Sequence, residues 1–401
     1  MPFILNEKKI IVGVTGGIAA YKTAQIVRLL VKQGAEVKVI MTPSAQQFVT
    51  PLTLATLSKN PVVTDFFDAT NGQWNSHVDL GLWADAFLIA PTTANTLGKL
   101  ATGTADNLLI ATYLAAKCPV FIAPAMDLHM YTHPTTKQNL ETLKAHGNLI
   151  IDPVAGELAS GLEGRGRMEE PENIVRFIQD YFVPKDMLGK KILITAGPTY
   201  EKIDPVRYIG NYSSGKMGFA LAETCARKGA EVILVCGPVY LKTPYKNIER
   251  INVDTAADMH KVVMSRFEHV DGAIMCAAVS DFTPVVRAEQ KIKRGKENIF
   301  LELTPSIDIA AEVGKVKKPE QFLVGFALET NHEEENAISK MERKNFDFIV
   351  LNSLRDPYSG FGVDTNRVTI LHRSGMKKEY ELKDKVDVAD DIVQEINTLL
   401  F

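Results

Sequence analysis

Twice in this chain a lysine pair opens a short apolar run that ends in small residues and glycine: Lys9-Ile-Ile-Val-Gly-Val-Thr15-Gly16-Gly17 and Lys191-Ile-Leu-Ile-Thr-Ala-Gly-Pro-Thr199. A strand that is apolar at successive positions is buried on both faces, as in a parallel sheet covered by helices. One that opens into glycine ahead of a helix turns backbone N–H groups toward an anion. Two such junctions restrict the chain to α/β architecture, with one ligand site at the carboxyl end of each sheet.

The rest of the sequence keeps this rhythm. Ile18, Tyr21, Ile26, Leu29 and Leu30 recur near helical spacing until Gly34, and further strands are expected at 37–41, 86–90, 118–123 and 149–151. Around Asp180-Tyr-Phe-Val-Pro-Lys-Asp-Met-Leu-Gly189 the helical pattern stops, Pro and Gly enter, and the second lysine-led run begins. This places domains at 1–185 and 186–401. In the second, helices are expected at 219–228 and 258–267, and strands at 231–236, 272–277, 322–327, 348–351 and 367–372. The fold class is α/β, two doubly wound Rossmann-like domains with mainly parallel sheets. The two openings share an architecture, but their loops differ. Neither is Gly-x-Gly-x-x-Gly or Gly-x-x-x-x-Gly-Lys-Ser/Thr, which argues against ordinary nicotinamide-dinucleotide and P-loop sites.

Length agrees with two cores, because 401 residues exceed what one usually organises. No apolar run is long enough to cross a bilayer, and the first residues lack the plan of a secretory signal, so a cytoplasmic location is expected. The net charge of −3 supplies no basic field for nucleic acid, and local cations are read as contacts to small anions. Cys118, Cys225, Cys236 and Cys276 lack the close spacing of a zinc site or redox dithiol and are expected as buried free thiols.

Near the N-terminus, the Thr15-Gly16-Gly17 loop and Ala90-Pro-Thr-Thr-Ala-Asn-Thr96 each end a strand and should face one crevice. Thr92, Thr93 and Asn95 offer donors to a phosphate or a flat heterocycle, although Thr and Asn cap helices equally well. His77 lies in Asn75-Ser-His-Val-Asp-Leu-Gly-Leu-Trp-Ala-Asp85, Pro124-Ala-Met-Asp127 follows a strand, and Gly156-Glu-Leu-Ala-Ser-Gly-Leu-Glu-Gly-Arg-Gly-Arg-Met168 is a glycine-rich flap. His129 and His133 have no comparable setting.

With these motifs the N-terminal half resembles the flavodoxin-like flavoprotein domain of the phosphopantothenoylcysteine decarboxylases, relatives of the lantibiotic peptidyl-cysteine decarboxylases. The resemblance implies that Gly16, Gly17, Thr42, Thr93, Ala94, Asn95, Thr96, Ala125 and Met126 hold FMN. It implies His77 as the catalytic base and Met126 and Asp127 as substrate contacts, with the flap closing over them. The implied reaction oxidises the thiol of an acylcysteine, releases CO₂ and returns the electrons. Two positions depart from the family pattern. Asp127 stands where Asn is usual, and an ionised Asp only accepts hydrogen bonds. Ser160 stands where the flap carries a proton-donating Cys. Either Asp127, kept neutral by burial, supplies the proton, or the product stays oxidised, or the site is degenerate; the joint occurrence of both changes favours the first.

The C-terminal half reads Asp204-Pro-Val-Arg207 into Asn211-Tyr-Ser-Ser-Gly215-Lys216-Met217-Gly218, then Ala277-Ala-Val-Ser-Asp281-Phe282, Lys291-Ile-Lys293-Arg294, Thr304-Pro305-Ser-Ile-Asp308-Ile309, Val324-Gly-Phe326-Ala-Leu-Glu-Thr330 and the Lys340 and Lys344 pair. This resembles the phosphopantothenoylcysteine synthetase domain over nearly its whole length. The resemblance implies that 4′-phosphopantothenate attacks the α-phosphate of CTP, and that cysteine then displaces CMP. Two anions must meet, so cations are required. Lys291, Lys340 and Lys344 would neutralise the triphosphate with Mg²⁺, whose ligands stay unassigned. Ala277, Ala278, Asp281, Pro305, Ser306, Ile307, Asp308 and Phe326 would read the nucleotide, and Arg207 and the catalytic Asn211 would face the acyl-cytidylate. Asn352 and the Gly360-Phe-Gly-Val-Asp-Thr-Asn366 turn also match, without an assigned contact.

The expectation is a bifunctional enzyme of coenzyme A biosynthesis that ligates, then decarboxylates. Its partners are small molecules, with no nucleic acid or membrane, and the family implies homo-oligomers, trimeric through the flavoprotein half and dimeric through the ligase half. The first alternative keeps the CTP ligase and makes the N-terminal half an FMN-binding structural or regulatory module. The second, a flavin or nicotinamide oxidoreductase, lacks its dinucleotide fingerprint.

Overall fold

The first lysine-led run forms β1 (Lys9–Val14), every residue of which after Lys9 is buried. The computed structural model describes residues 4–67, 72, 74–294, 298–329, 331–353, 360 and 362–400. The chain divides into two units, Met1–Val183 and Pro184–Phe401.

In the first unit, β1 leads through one 3-10 turn, Ile18–Ala20, into α1 (Tyr21–Lys32). Then come β2 (Glu36–Met41), α2 (Pro51–Ser58), β3 (Val62–Val63), α3 (His77–Trp83), β4 (Ala86–Thr92), α4 (Ala94–Thr102) and α5 (Leu108–Ala115). The unit continues with β5 (Val120–Pro124), α6 (Leu128–Thr132), α7 (Pro134–Ala145), β6 (Leu149–Ile150), β7 (Val154–Glu157), β8 (Glu163–Arg167) and α8 (Pro171–Phe182). The six-stranded sheet is parallel throughout, in the order β3-β2-β1-β4-β5-β6. Without the two-residue edge strand β3, this is the flavodoxin-like order. Alternation along β1 sends Ile10, Val12 and Val14 toward Ile26 and Leu30 of α1 and Ile174 and Ile178 of α8. Ile11 points the other way, among Leu97, Leu109 and Leu143. Each such fully buried aliphatic side chain contributes about 1.5–3 kcal/mol, so helices on both faces hold β1 at the centre.

The second unit repeats the plan. It runs β9 (Lys191–Ala196), β10 (Glu201–Lys202), β11 (Tyr208–Ile209), α9 (Lys216–Arg227), β12 (Glu231–Cys236), β13 (Ile248–Asn252), α10 (Ala256–Phe267) and β14 (Gly272–Met275). After these come β15 (Phe282–Pro284), β16 (Leu303–Pro305), α11 (Ile309–Val316), β17 (Phe322–Glu329), α12 (Glu333–Arg343) and β18 (Phe348–Ser353). The chain closes with β19 (Thr365–Asn366), β20 (Val368–His372), β21 (Lys377–Glu379), β22 (Lys383–Asp384) and α13 (Lys385–Leu400). The main sheet is ordered β13-β12-β9-β14-β17-β18-β20-β21. It is parallel from β13 to β18, and antiparallel where β20 joins β18 and β21 joins β20. Ile192 and Ile194 pack against α9 and α13, whereas Leu193 faces α10, α11 and α12.

Several boundaries differ from the sequence reading for physical reasons. The strand expected at 272–277 stops at Met275, because Ala277 N–H donates to Thr195 Oγ1 (3.1 Å) and Ala278 N–H to Gly197 O (2.9 Å), off the ladder. The glycine-rich flap is an antiparallel hairpin of β7 and β8. All four cysteines are free; Cys225 and Cys236 are buried, whereas Cys118 and Cys276 are only half-buried, short of the expected full burial. Among the described residues, no helix is long and apolar enough to cross a membrane.

Candidate functional sites

In the first unit, the carboxyl ends of β1 and β4 are tied by one buried hydroxyl. Thr15 Oγ1 donates to Pro91 O (2.8 Å) and accepts from Thr93 N–H (3.1 Å). A Cβ on Gly16 would stand 2.4 Å from Ser44 Oγ, so only glycine lets the β1 loop close on the loop after β2. In that loop, Thr42 N–H donates to Val14 O (3.0 Å) and the Thr42 and Ser44 hydroxyls lie 3.4 Å apart. Gly17 faces the Thr93 methyl group. Thr93 is the N-cap of α4 and accepts from Thr96 N–H (3.4 Å), and Ala94, Asn95 and Thr96 form its first turn. Thr93, expected as a ligand contact, thus also serves as the helix cap. Thr92 does neither, since its buried hydroxyl is used on Ile89 O (2.8 Å), which corrects its reading as a ligand donor.

Ala125 N–H donates to Thr92 O (3.0 Å), which brings the Ala125-Met126-Asp127 segment beside the same strand ends. The hairpin then closes on that segment. Met126 N–H donates to Gly166 O (3.0 Å), and a Cβ on Gly166, whose φ is 156°, would fall 2.3 Å from Met126 O. Ser160 Oγ donates to Asp127 Oδ2 (2.5 Å), and Asp127 Oδ1 caps α6 by accepting from His129 N–H (3.2 Å). The Ser160 bond, with His129 N–H adding to it, holds the Asp127 carboxyl below its ordinary range. A neutral Asp127 produced by burial is therefore corrected: the residue is half-exposed and its carboxylate accepts two hydrogen bonds. With a lowered folded pKa, these bonds are intact above the ordinary Asp range and are lost as pH falls through the lowered value. Ser160→Ala is expected to move the Asp127 titration upward, read by carboxyl-carbon NMR of Asp-labelled protein.

His77 opens α3, one residue after its N-cap Ser76, whose hydroxyl accepts from Asp79 N–H (3.2 Å). Its ring meets Phe66 edge-on with centroids 6.0 Å apart, and its Nδ1 is buried with no hydrogen-bond partner among the described residues. No described contact joins it to the strand-end loops. His129 and His133 are exposed.

In the second unit a cavity of about 600 Å³ opens at the carboxyl ends of β9, β14 and β17. Asn211, Ala277, Ala278, Asp281, Pro305, Ser306, Ile307, Asp308, Phe326, Lys340 and Lys344 all line it. Asn211 Nδ2 donates to Ala278 O (3.2 Å) and Val279 O (3.1 Å). Ser306 N–H donates to Asp281 O (2.8 Å), which joins two of the segments expected to read the nucleotide, and Ser306 Oγ is buried with no partner among the described residues. Lys340 Nζ donates to Phe326 O (3.0 Å) and Lys344 Nζ to Asp308 Oδ1 (2.8 Å). Burial raises the Asp308 pKa, but Lys344 and the Ala311 N–H it caps outweigh that and leave it lowered.

Arg207 and Lys291 are not among the residues that line this cavity. Arg207 Nη1 binds the buried Asp204 carboxylate (2.8 Å) and Ile292 O (3.2 Å). Asp204 also accepts from the N–H groups of Val206, Arg207 and Ile292, which together overcome its burial and lower its pKa. Asp204 thus pins the 204–207 turn to the segment that carries Lys291, which is itself exposed.

Sequence reasoning gave no role to Lys385. Lys385, 6% exposed, donates to Gly360 O (2.9 Å) and Val363 O, and Lys216 pairs with Asp364 (2.6 Å). Both line the cavity, as do Asn352, Gly360 and Asn366. These contacts fix the described part of the Gly360–Asn366 turn against the N-termini of α9 and α13; Thr330 and Phe361 lie outside the described residues. Among the described residues, no three His, Cys, Asp or Glu gather as a metal site.

Comparison with known proteins bears on both units. Residues 4–183 match the Flavoprotein family, and residues 187–400 match the DNA/pantothenate metabolism flavoprotein C-terminal domain. A protein from an unidentified prokaryote, described as a cysteine/cysteine sulfinic acid decarboxylase, is 57% identical over 88% of this chain and 99% of its own length. The coenzyme A biosynthesis bifunctional protein CoaBC of Bacillus subtilis is 48% identical over 99% of this chain and 98% of its own. That of Haemophilus influenzae is 46% identical over 98% of each. Similar to these proteins through both units, the chain belongs to the CoaBC family of bifunctional coenzyme A biosynthesis enzymes.

Proposed function

We propose that the second unit ligates cysteine to 4′-phosphopantothenate with CTP and Mg²⁺, and that the first, with FMN bound, decarboxylates the product to 4′-phosphopantetheine. The observation that carries the ligase reading is one cavity in which Asn211, Ala277, Asp281, Asp308, Lys340 and Lys344 converge from four separate segments. Ligation brings a carboxylate toward a triphosphate, and fixed cations lower that barrier most. Lys340 and Lys344 supply them, with Mg²⁺ entering alongside the nucleotide. The N–H groups at the start of α9 offer a second anion seat.

The donor set of the first unit fits FMN: hydroxyls of Thr42, Ser44 and Thr93, a glycine loop with close backbone approach, and the N-terminus of α4 for a phosphate. FMN supplies a two-electron acceptor for the substrate thiol when bound. The hairpin and the Met126–Asp127 segment orient the substrate, and His77 moves the proton. Assembly into trimers through the first unit and dimers through the second follows from the family resemblance, and exposed apolar side chains such as Leu52 and Trp74 in the first unit and Tyr212 and Phe300 in the second leave surface for subunit contacts. The enzyme works in the cytoplasm, where its substrates are made.

A second reading, decarboxylation of free cysteine by the first unit, takes its support from the name of the 57% identical relative. One assay separates them: the full chain is given phosphopantothenate, cysteine, Mg²⁺ and either CTP or ATP, with mass detection of each intermediate, beside cysteine alone. Pyrophosphate and phosphopantetheine formed only with CTP are expected. Cysteamine from cysteine alone, without pyrophosphate release in the full mixture, would reverse the assignment.

A further inference from the structure

The first unit contains a buried cation that the chemistry above leaves unused. Lys22 is the second residue of α1, the helix that follows the Gly16-Gly17 loop, and it is 6% exposed. A lysine of that burial keeps its charge only when its ammonium is bonded. Its Nζ donates to Met168 O (3.0 Å) and lies 3.1 Å from Glu170 Oε1. Arg167 Nη2 meets the same Glu170 oxygen at 2.6 Å, so Glu170 joins a residue of β8 to a residue of α1. Lys22 is the largest cause of the lowered Glu170 pKa.

Met168 and Glu170 sit immediately after β8, at the foot of the hairpin. Above that foot the hairpin touches the substrate segment at three places: Gly166 O on Met126 N–H, Gly164 against Leu128, and Ser160 on Asp127. At Gly166 a Cβ would come 2.3 Å from the backbone Met126 O, so that contact has no slack, and at Gly164 one would come 2.7 Å from the Leu128 side chain. A rigid ribbon seated this closely takes its height from its foot. That foot is gripped by the helix whose preceding turn forms the glycine loop.

We propose that Lys22 is a positioning residue for decarboxylation: it fixes the hairpin over the Met126–Asp127 segment by tying the end of β8 to the start of α1. The proposal rests on the reading of this site as the decarboxylase. Lys22 touches neither reacting group, and its effect passes through Met168, Glu170 and the three hairpin contacts. A misplacement of about 1 Å in a substrate-orienting element can lower a rate by about 10²-fold. The loss should fall mainly on substrate binding, because the hydroxyls of Thr42, Ser44 and Thr93 that would hold the flavin make no described hydrogen bond to the hairpin.

The test uses the full chain with Lys22→Met, which keeps the stem and removes the charge, and Glu170→Gln, which leaves the bond from Lys22 to Met168. For Lys22→Met, KM for phosphopantothenoylcysteine should rise about tenfold or more while kcat changes little and purified protein retains its flavin absorbance. In flavin-free protein, trypsin should cut after the exposed Arg165 of the hairpin about tenfold faster than in wild type. Glu170→Gln should shift both readouts in the same direction by less, and it decides the matter if Lys22→Met fails to fold. Unchanged KM and unchanged cleavage, even with a lowered Tm, would overturn the proposal, as would a KM change wholly explained by flavin loss. The cleavage readout needs no turnover, so a failed decarboxylase assignment would show as absent activity in wild type while the protease comparison still reports on the hairpin.

Discussion

Lys340→Met slows ligation by about 10²- to 10³-fold and leaves CO₂ release from preformed phosphopantothenoylcysteine at its wild-type rate. Methionine keeps most of the side chain's length and removes the ammonium that Phe326 O holds at the cavity wall. The lost bond to that carbonyl costs about 1 kcal/mol of stability, too little to unfold a unit with a core on each face of its sheet. Lys344→Met, which removes the ammonium 2.8 Å from Asp308 Oδ1, is expected to slow ligation as well. Pyrophosphate release with each nucleotide, measured beside a melting curve, checks both variants. A Lys340→Met protein that ligates normally would remove the lysine from the nucleotide site.

His77→Asn lowers decarboxylation by about 10²- to 10⁴-fold with ligation unchanged. The imidazole has a buried Nδ1 with no partner among the described residues, so its proton chemistry is not spent on a structural bond. Asparagine keeps a polar group of similar reach at the start of α3 and leaves the Ser76 cap in place. Loss of activity without loss of bound flavin would assign the proton step to the ring. Retained CO₂ release would remove the ring from the proton step, whereas a first unit that serves only as a flavin-binding module requires that wild type release no CO₂.

Much of this architecture is written in periodicity. Runs such as Lys9–Val14 and Lys191–Ala196 are apolar at every pleat position, and they do lie at the centres of doubly covered sheets. Glycine and hydroxyl junctions were legible for a similar reason, since backbone approach and helix capping are local requirements. Contacts between distant segments were not. Nothing near Ser160 announces that it would donate to Asp127, because the hairpin that brings them together is fixed by Gly164 and Gly166 packing on α6 and Met126. Lys385 reads as a solvated charge at the head of an amphipathic helix, yet carbonyls 22 and 25 residues earlier capture it and keep it buried. Conversely, a cation in a basic run carries no address. Arg207, expected to face a ligand, also gives Nη1 to the buried Asp204 carboxylate, which no local pattern announces.

The four free sulfurs have a chemical consequence for an enzyme that handles activated acyl groups and cysteine itself. Loss of hydration pushes the Cys118 and Cys236 thiols up to about 11, and Cys225 and Cys276 up to about 12. Near neutral pH all four are therefore protonated, and a thiol in that form is a poor nucleophile. Cys276 borders the ligase cavity, where an endogenous thiolate would attack the mixed anhydride and form a thioester as the nucleotide leaves. Its silence leaves the substrate amine as the group that reacts.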